Sequence, residues 1–180
     1  PPLYMYVLYI IGRIRAHFHI AQFSAMDLLM LKSPAICCDI LCSFLLYWES
    51  RKSAKLSEIQ SICIMSAYLF HPVVILDSAC WGQVDSLLAL FIVVLCICLK
   101  NRQLIPAYIV YGIGVLSKPQ MLVFTPVLLV GIVDHVFLKD FSRKKFFINL
   151  LSGLCVIGGL VLFSVPFGLS KVIAQYTSTL

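Results

Sequence analysis

Residues 81–100 read WGQVDSLLALFIVVLCICLK, and this stretch decides the fold class. From Leu87 to Leu99 every residue is apolar, and the run ends at Lys100. Such a run approaches the roughly 20 apolar residues that cross a bilayer as a helix. The residues just before it hold an indole, a primary amide and a carboxylate. The stretch therefore predicts a membrane helix with a polar cluster at its start.

The composition of the whole chain agrees with this interpretation. Of its 180 residues, 61% are hydrophobic and only 12% are charged, whereas a soluble domain has about half apolar and a quarter charged residues. The net charge of +6 does not indicate nucleic-acid binding, because the basic residues fall in short clusters between apolar runs, as in membrane proteins. We predict an all-α, polytopic transmembrane bundle.

The apolar runs predict about six spans in one transmembrane domain over residues 1–180. A short interfacial helix is expected at 3–18, because its apolar part is too short to span and Arg13, Arg15 and His17 follow it. The spans are expected at about 28–48, 56–70, 84–99, 104–116, 121–138 and 146–163.

The positive charges predict the orientation of these spans. Three alternate loops hold nine of the fourteen basic residues: Arg51, Lys52, Lys55, Lys100, Arg102, Lys139, Arg143, Lys144 and Lys145. By the positive-inside rule these loops are cytoplasmic. The segments HPVVILDSACWGQVD, SKPQ and PFG then lie at the opposite, non-cytoplasmic face.

Several spans that border these segments are too short to cross a bilayer alone. The polar segments are therefore expected to enter the membrane as irregular backbone, which is tolerated there only inside protein or a water-filled cavity. The sequence predicts a cavity open to the non-cytoplasmic side, lined by His71, Asp77, Trp81, Gln83, Asp85, Lys118 and Gln120.

Cysteines and histidines do not form a metal pattern. Most of the eight cysteines lie inside apolar runs, where a free cysteine acts as a small hydrophobe. Only Cys80 falls in the candidate site, where we interpret it as a spacer. The sequence predicts no metal site and no cofactor, and a divalent metal held by further loops stays open. Asp39, in the middle of a span, is expected to pair with a neighbouring helix or with Lys32.

Two motifs carry a resemblance to a known family. HPVVILDSACWGQVDSLLAL, followed one hairpin later by LSKPQMLVFTP, resembles the bacterial polytopic sugar transferases of the GT-C superfamily. LKSPAICCDILCSFLLY resembles the second transmembrane helix of that family, and PPLYMYVLY resembles the segment that follows its catalytic loop. The W-G-Q-x-D and K-P-Q motifs, in this order and at this spacing, are the most specific part of the resemblance.

The resemblance implies an activity and a location. Members of this family move a hexose from a polyprenyl-phosphate carrier to an acceptor at the outer face of the membrane, which is the plasma membrane in bacteria. A carboxylate just before the P-P-L motif serves the acceptor in this family. Because Pro1 is the first residue here, we expect that position to lie outside this chain. By the same resemblance, later outer loops of the family are expected to lie outside it too. Residues 1–180 alone are expected to be inactive, and the catalytic residue is unknown.

Each candidate residue has a functional and a structural interpretation. Lys118 would bind the carrier phosphate or extend from a helix end to the interface. Gln83, Asp85 and Gln120 would bind sugar hydroxyls, although Asp85 is also placed to cap a helix. Trp81 would stack on the sugar or anchor at the interface. Asp77 and Asp85 are the catalytic candidates within this chain, and His71 is either a ligand or a helix-end residue.

A second function class stays open. Secondary transporters and flippases for sugars or anions also use broken helices with polar residues at membrane depth. They usually contain two related halves, which this sequence does not show, and their charges lie near the midplane rather than at one face. The acceptor, the sugar and the oligomeric state are not indicated by the sequence.

Overall fold

The computed structural model describes residues 2–138 and 143–165, and within this part the chain is helical without any strand. The helices are α1 (Pro2–His17), α2 (Ala25–Lys52), α3 (Glu58–Leu69), α4 (Pro72–Ile75), α5 (Asp85–Lys100), α6 (Leu104–Ser117), α7 (Thr125–Val133) and α8 (Arg143–Ser164). Two π-helical segments, Leu76–Trp81 and Asp134–Leu138, and one 3-10 segment, Pro119–Phe124, continue these helices. The predicted all-α class is confirmed.

Three helical stretches are long and apolar enough to cross a membrane: Ala25–Lys52, Pro119–Val136 and Phe146–Phe163. A fourth candidate is the pair Glu58–Leu69 and Pro72–Trp81, which is bent by 44° at its break. Helices α5 and α6 have 16 and 14 residues, fewer than the roughly 20 that span a bilayer. By length and composition the described residues thus contain three or four candidate spans, against about six predicted.

The chain folds into two compact units. Of the described residues, the first unit comprises Tyr6–Val93, and the second comprises 2–5, 94–138 and 143–165. Each unit is described by itself below.

In the first unit, α2 and α3 form an antiparallel hairpin. The turn between them is fixed by Ser57, whose side chain accepts from the Gln60 N–H while the Gln60 side chain accepts from the Ser57 N–H. Such a reciprocal cap satisfies two backbone donors at the helix start. The buried residues of both helices are mostly small, among them Ala35, Cys42, Ser43 and Ser61. Small residues let two helices approach closely where lipid offers no hydrophobic drive.

Helix α1 is connected to the start of α2 by a buried carboxylate. Asp27 accepts the Phe23 N–H at 2.9 Å and lies 3.5 Å from the Arg15 guanidinium. Ser24 caps the same helix start by accepting the Asp27 N–H. These bonds fix the turn that leads from the predicted interfacial helix into the first long apolar helix.

The second unit packs around two glycines of α6. A Cβ on Gly112 would lie 2.7 Å from the Val156 side chain of α8, and a Cβ on Gly114 would lie 2.9 Å from Met121. Gly112 lies eight residues after Leu104 and Val156 eight after Ile148, and Leu104 and Ile148 line one cavity together. Helices α6 and α8 therefore run parallel, with their first residues at the same end.

Candidate functional site

The W-G-Q-x-D motif follows directly on a π-helical turn of the first unit. The N–H groups of Gly82 and Gln83 both donate to the Asp77 carbonyl, the second at 2.9 Å. Gly82 has φ +69° and ψ 28°, in the left-handed region that ends the helix. Glycine adopts this region without the steric cost that a Cβ brings. The motif therefore begins with a sharp, defined exit from the helix.

Lys32 of α2 holds this helix end. Its ammonium donates to the carbonyls of Ala79 and Cys80 at 2.8 and 2.9 Å. Its aliphatic stem lies against Gly82, where a Cβ would be 3.1 Å from Lys32 Cγ. Carbonyls at a helix end lack partners within the helix, and a cation there also interacts favourably with the helix dipole. Lys32 thus supplies the missing donors and leaves little room for a side chain at position 82.

The side chains of the motif differ in exposure. Trp81 is 72% exposed and Gln83 is exposed, while Asp77 and Asp85 are half-buried. Asp85 is the first residue of α5, so its carboxylate lies in the first turn, where negative charge is favoured. An exposed indole with an amide and two carboxylates nearby in the chain is a combination that suits sugar or headgroup hydroxyls.

His71 has a local backbone role in the structure. It is the N-cap of α4, and its Nδ1 accepts the Val73 N–H at 3.3 Å. Pro72 follows as the first helical residue, where its missing N–H costs nothing. The side chain is exposed. The structure therefore places His71 at a helix start, as one of its two sequence interpretations proposed.

Lys118 and Gln120 belong to the second unit. Lys118 has extended backbone, φ −153° and ψ 120°, between α6 and the 3-10 segment. Its N–H donates to the Gly114 carbonyl at 2.8 Å, and its carbonyl accepts the Met121 N–H at 3.1 Å. Its side chain is half-buried and that of Gln120 is exposed, while Pro119 and Met121 between and after them are buried. The K-P-Q motif thus alternates outward polar and inward apolar residues.

In two of the three segments expected to be irregular, most residues are helical instead, while the third segment, PFG, lies outside the described residues. Residues 72–81 form a short α-helix and a π-turn, and residues 119–124 form a 3-10 turn. In both geometries, backbone N–H and C=O groups bond to each other within the segment. This pairing satisfies the polar backbone groups that the cavity was expected to accommodate. Within these two segments, non-helical backbone is limited to short breaks around Phe70–His71, 82–84 and Lys118.

Within the first unit, the W-G-Q-x-D motif lies far from the basic loop at Arg51. Lys32 binds the segment that ends at Trp81, whereas Arg51 lies at the other end of α2 and donates to the Leu56 carbonyl at 2.9 Å. The rise of α2 between Lys32 and Arg51 is about 28 Å, at roughly 1.5 Å per residue. The motif and the basic loop therefore lie at opposite ends of the hairpin.

Asp39 pairs with the neighbouring helix and not with Lys32. It is 3% exposed, and its Oδ1 accepts from the Tyr68 hydroxyl of α3 at 3.3 Å. Its Oδ2 has no hydrogen-bond partner in the part of the chain that the structure describes. Lys32 instead binds carbonyls, a role that the sequence interpretation missed. A lysine about two turns into a long apolar helix was the available signal.

No group of three potential metal-ligating side chains occurs among residues 2–138 and 143–165. Cys80 is exposed and free, and its contribution to the site is the carbonyl that accepts from Lys32. Comparison of the chain with protein-family models, with curated proteins and with solved structures found no match.

Proposed function

We propose that this chain is part of a polytopic membrane glycosyltransferase of the GT-C type. It would move a hexose from a polyprenyl-phosphate carrier to an acceptor at the non-cytoplasmic face. The observation that supports this best is the exposed Trp81 and Gln83 on backbone held by Lys32 and Gly82. This end of the α2–α3 hairpin is opposite to the basic loop, which the positive-inside rule assigns to the cytoplasm.

The six-span topology is part of the same proposal. The spans would be α2, the bent pair Glu58–Leu69 and Pro72–Trp81, α5, α6, the stretch Pro119–Val136 and α8. Because α5 and α6 are short, their polar ends would lie below the membrane surface. The motifs that begin at Trp81 and Lys118 would then be reached from the non-cytoplasmic side.

The proposed reaction is displacement at the anomeric carbon. An acceptor hydroxyl attacks this carbon, its proton passes to a base, and the bond to the carrier oxygen breaks with the electron pair on the phosphate. In the first unit, Trp81 would stack on the sugar, and Gln83 and Asp85 would bind its hydroxyls. In the second unit, Lys118 would stabilise a carrier phosphate as a fixed cation, and Gln120 would bind a hydroxyl. The base would be a carboxylate outside this chain, or Asp77 or Asp85 within it.

A secondary transporter or flippase for a sugar or an anion is the alternative. The 44° break between α3 and α4 favours it, because transporters commonly bind substrate at broken helices. The two proposals differ in their product. A transferase forms a glycosidic bond, whereas a transporter only moves the substrate across the bilayer.

The test uses the full-length protein that contains this chain, reconstituted in liposomes with a radiolabelled polyprenyl-phosphate hexose and a membrane lipid extract as acceptor. Labelled product with a new glycosidic bond supports the transferase. Trp81→Ala should lower the transfer rate about ten-fold, as expected for loss of about 1.4 kcal/mol in the transition state. The control is Trp48→Ala, which removes an exposed indole that lies on α2, outside the motif. Movement of label across the bilayer without bond formation would support the transporter.

A further inference from the structure

A cavity with four polar and four apolar lining residues adjoins an apolar groove in the second unit. The cavity has a volume of about 340 Å³ and is lined in part by Arg102, Gln103, His135 and Asn149. The groove has a volume of about 390 Å³ and lies between α6 and α8. Both are lined by Ile105, so the cavity and the groove meet at this side chain.

The groove has the chemistry of a hydrocarbon site. Its walls are apolar or small, and they include Ile105, Ile113 and Leu116 of α6 and Leu151, Cys155 and Gly159 of α8. From Ile105 to Leu116 the helix rises about 16 Å, at roughly 1.5 Å per residue. This is about half of the roughly 30 Å hydrocarbon core, which is the depth of one leaflet.

The cavity has the chemistry of a phosphate site. Arg102 offers a planar guanidinium, the group that binds phosphate oxygens in pairs. Arg102 is 3.9 Å from Asp134, and both side chains are about half exposed, so this ion pair is long and in contact with solvent. His135 Nδ1 is buried and has no hydrogen-bond partner among residues 2–138 and 143–165. The cavity thus contains a cation and a ring nitrogen that still needs a partner.

We propose that this paired cavity and groove bind one phospholipid, with its phosphate at Arg102 and an acyl chain between α6 and α8. The occupant is a lipid of the leaflet next to the basic loops, since α6 and α8 both begin at the Arg102 end and α8 begins with Arg143 and Lys144. Basic pockets between helices on the cytoplasmic side bind anionic headgroups in this way. The proposal uses the membrane placement given above but not the transferase reaction.

Two adjacent glycines allow a matched test of the groove. Gly158 and Gly159 both have open space where a Cβ would lie, and of the two only Gly159 lines the groove. Gly159→Leu should therefore place its side chain in the groove, and Gly158→Leu should add the same volume elsewhere. The probe is phosphatidylglycerol with a diazirine at the end of one acyl chain, photo-crosslinked to the full-length protein in nanodiscs of phosphatidylcholine.

We expect crosslinks on peptides from α6 and α8, reduced at least five-fold by Gly159→Leu and unchanged by Gly158→Leu. Arg102→Gln should raise the probe concentration for half-saturation about ten-fold, as for loss of one charge-assisted bond, while Arg143→Gln should not. Asp134→Asn should lower the probe concentration for half-saturation, because the Asp134 carboxylate competes with the phosphate for Arg102. Crosslinks insensitive to Gly159→Leu and Arg102→Gln would overturn the proposal. Stronger competition by polyprenyl phosphate than by phosphatidylglycerol would also overturn it and assign the groove to the sugar carrier.

Discussion

The ammonium of Lys32 donates to the carbonyl of Ala79, 47 residues further along the chain, with a distance of 2.8 Å between the two atoms. This bond joins the first long apolar helix to the turn that presents Trp81. The conformation of the W-G-Q-x-D motif therefore depends on a residue that lies far from it in sequence.

Lys32→Met should loosen this turn while keeping an apolar stem against Gly82. Two charge-assisted hydrogen bonds are lost, and because Lys32 is only half-buried we expect a destabilisation of about 1.5 kcal/mol. The measurement is the free energy of unfolding in detergent. The control is Lys52→Met, at the exposed far end of the same helix. Equal losses of unfolding free energy in the two variants would contradict a local role for Lys32.

Gly82→Ala should destabilise the same turn from the other side. The residue must keep φ +69°, which costs an L-residue roughly 1–2 kcal/mol, and its Cβ would press on the stem of Lys32. Gly158→Ala is the matched control, because it adds a methyl group in open space within a helix and should stabilise by roughly 0.5–1 kcal/mol. Measured in detergent, the unfolding midpoint should fall for Gly82→Ala and rise for Gly158→Ala.

Tyr68→Phe should leave the buried Asp39 carboxyl without its hydroxyl partner. We expect a loss of roughly 1–3 kcal/mol, the penalty of an unsatisfied buried polar group. Adding Asp39→Leu to Tyr68→Phe should recover most of the lost unfolding free energy, because replacing both partners by apolar groups is often neutral. Tyr47→Phe, a similar change on α2, serves as the control. The measurement is a double-mutant cycle on unfolding free energy, and additive single effects would exclude a coupled pair.

Lys118 should contribute to transfer through its charge. Lys118→Ala in the full-length protein should lower kcat/KM by roughly one to two decades, because a charge-assisted contact is worth about 1.5–3 kcal/mol. Lys118→Arg should keep partial activity, whereas Lys118→Gln should resemble Lys118→Ala since an amide carries no charge. Turnover is compared at equal expression and equal detergent stability. Near-normal kinetics in all three variants would leave Lys118 with an interfacial role only.

Cys80 should react with a membrane-impermeant thiol reagent from the non-cytoplasmic side. It is exposed and adjoins Trp81, at the hairpin end opposite the basic loop. With the other cysteines replaced, Cys80 alone should be labelled in intact cells, whereas a cysteine at the exposed Ala54 should react only after permeabilisation. The reverse pattern would invert the proposed topology.

Much of the helical fold could be predicted from sequence, because apolar runs and their basic borders depend on local composition. The predicted span 84–99 differs from α5 by one residue at each end, and 104–116 differs from α6 by one residue at its end. The segment at 71–81 could not be predicted in the same way. Its apolar and polar residues suit a loop or a helix equally, and the donor that stabilises its last turn is Lys32, which is distant in sequence.

The candidate site was predicted in part. The polar residues of both motifs could be identified because ionisable groups next to apolar runs are rare. The role of Lys32 could not, since a lysine near a helix start has several interpretations and only tertiary contact selects one. For Asp39, the sequence left two partners open, and the position of Tyr68 on α3 selects the neighbouring helix.

The π-turn at Leu76–Trp81 places a constraint on the number of residues in this segment. A π-turn accommodates one more residue than an α-helical turn of the same kind. Deleting one residue there can therefore convert the π-turn into an α-turn and leave the direction of Trp81 unchanged. Inserting one residue has no such outlet and would rotate the residues after it by about 100° around the axis, since an α-helix has 3.6 residues per turn. Related chains should therefore tolerate a one-residue deletion between His71 and Trp81 more readily than a one-residue insertion.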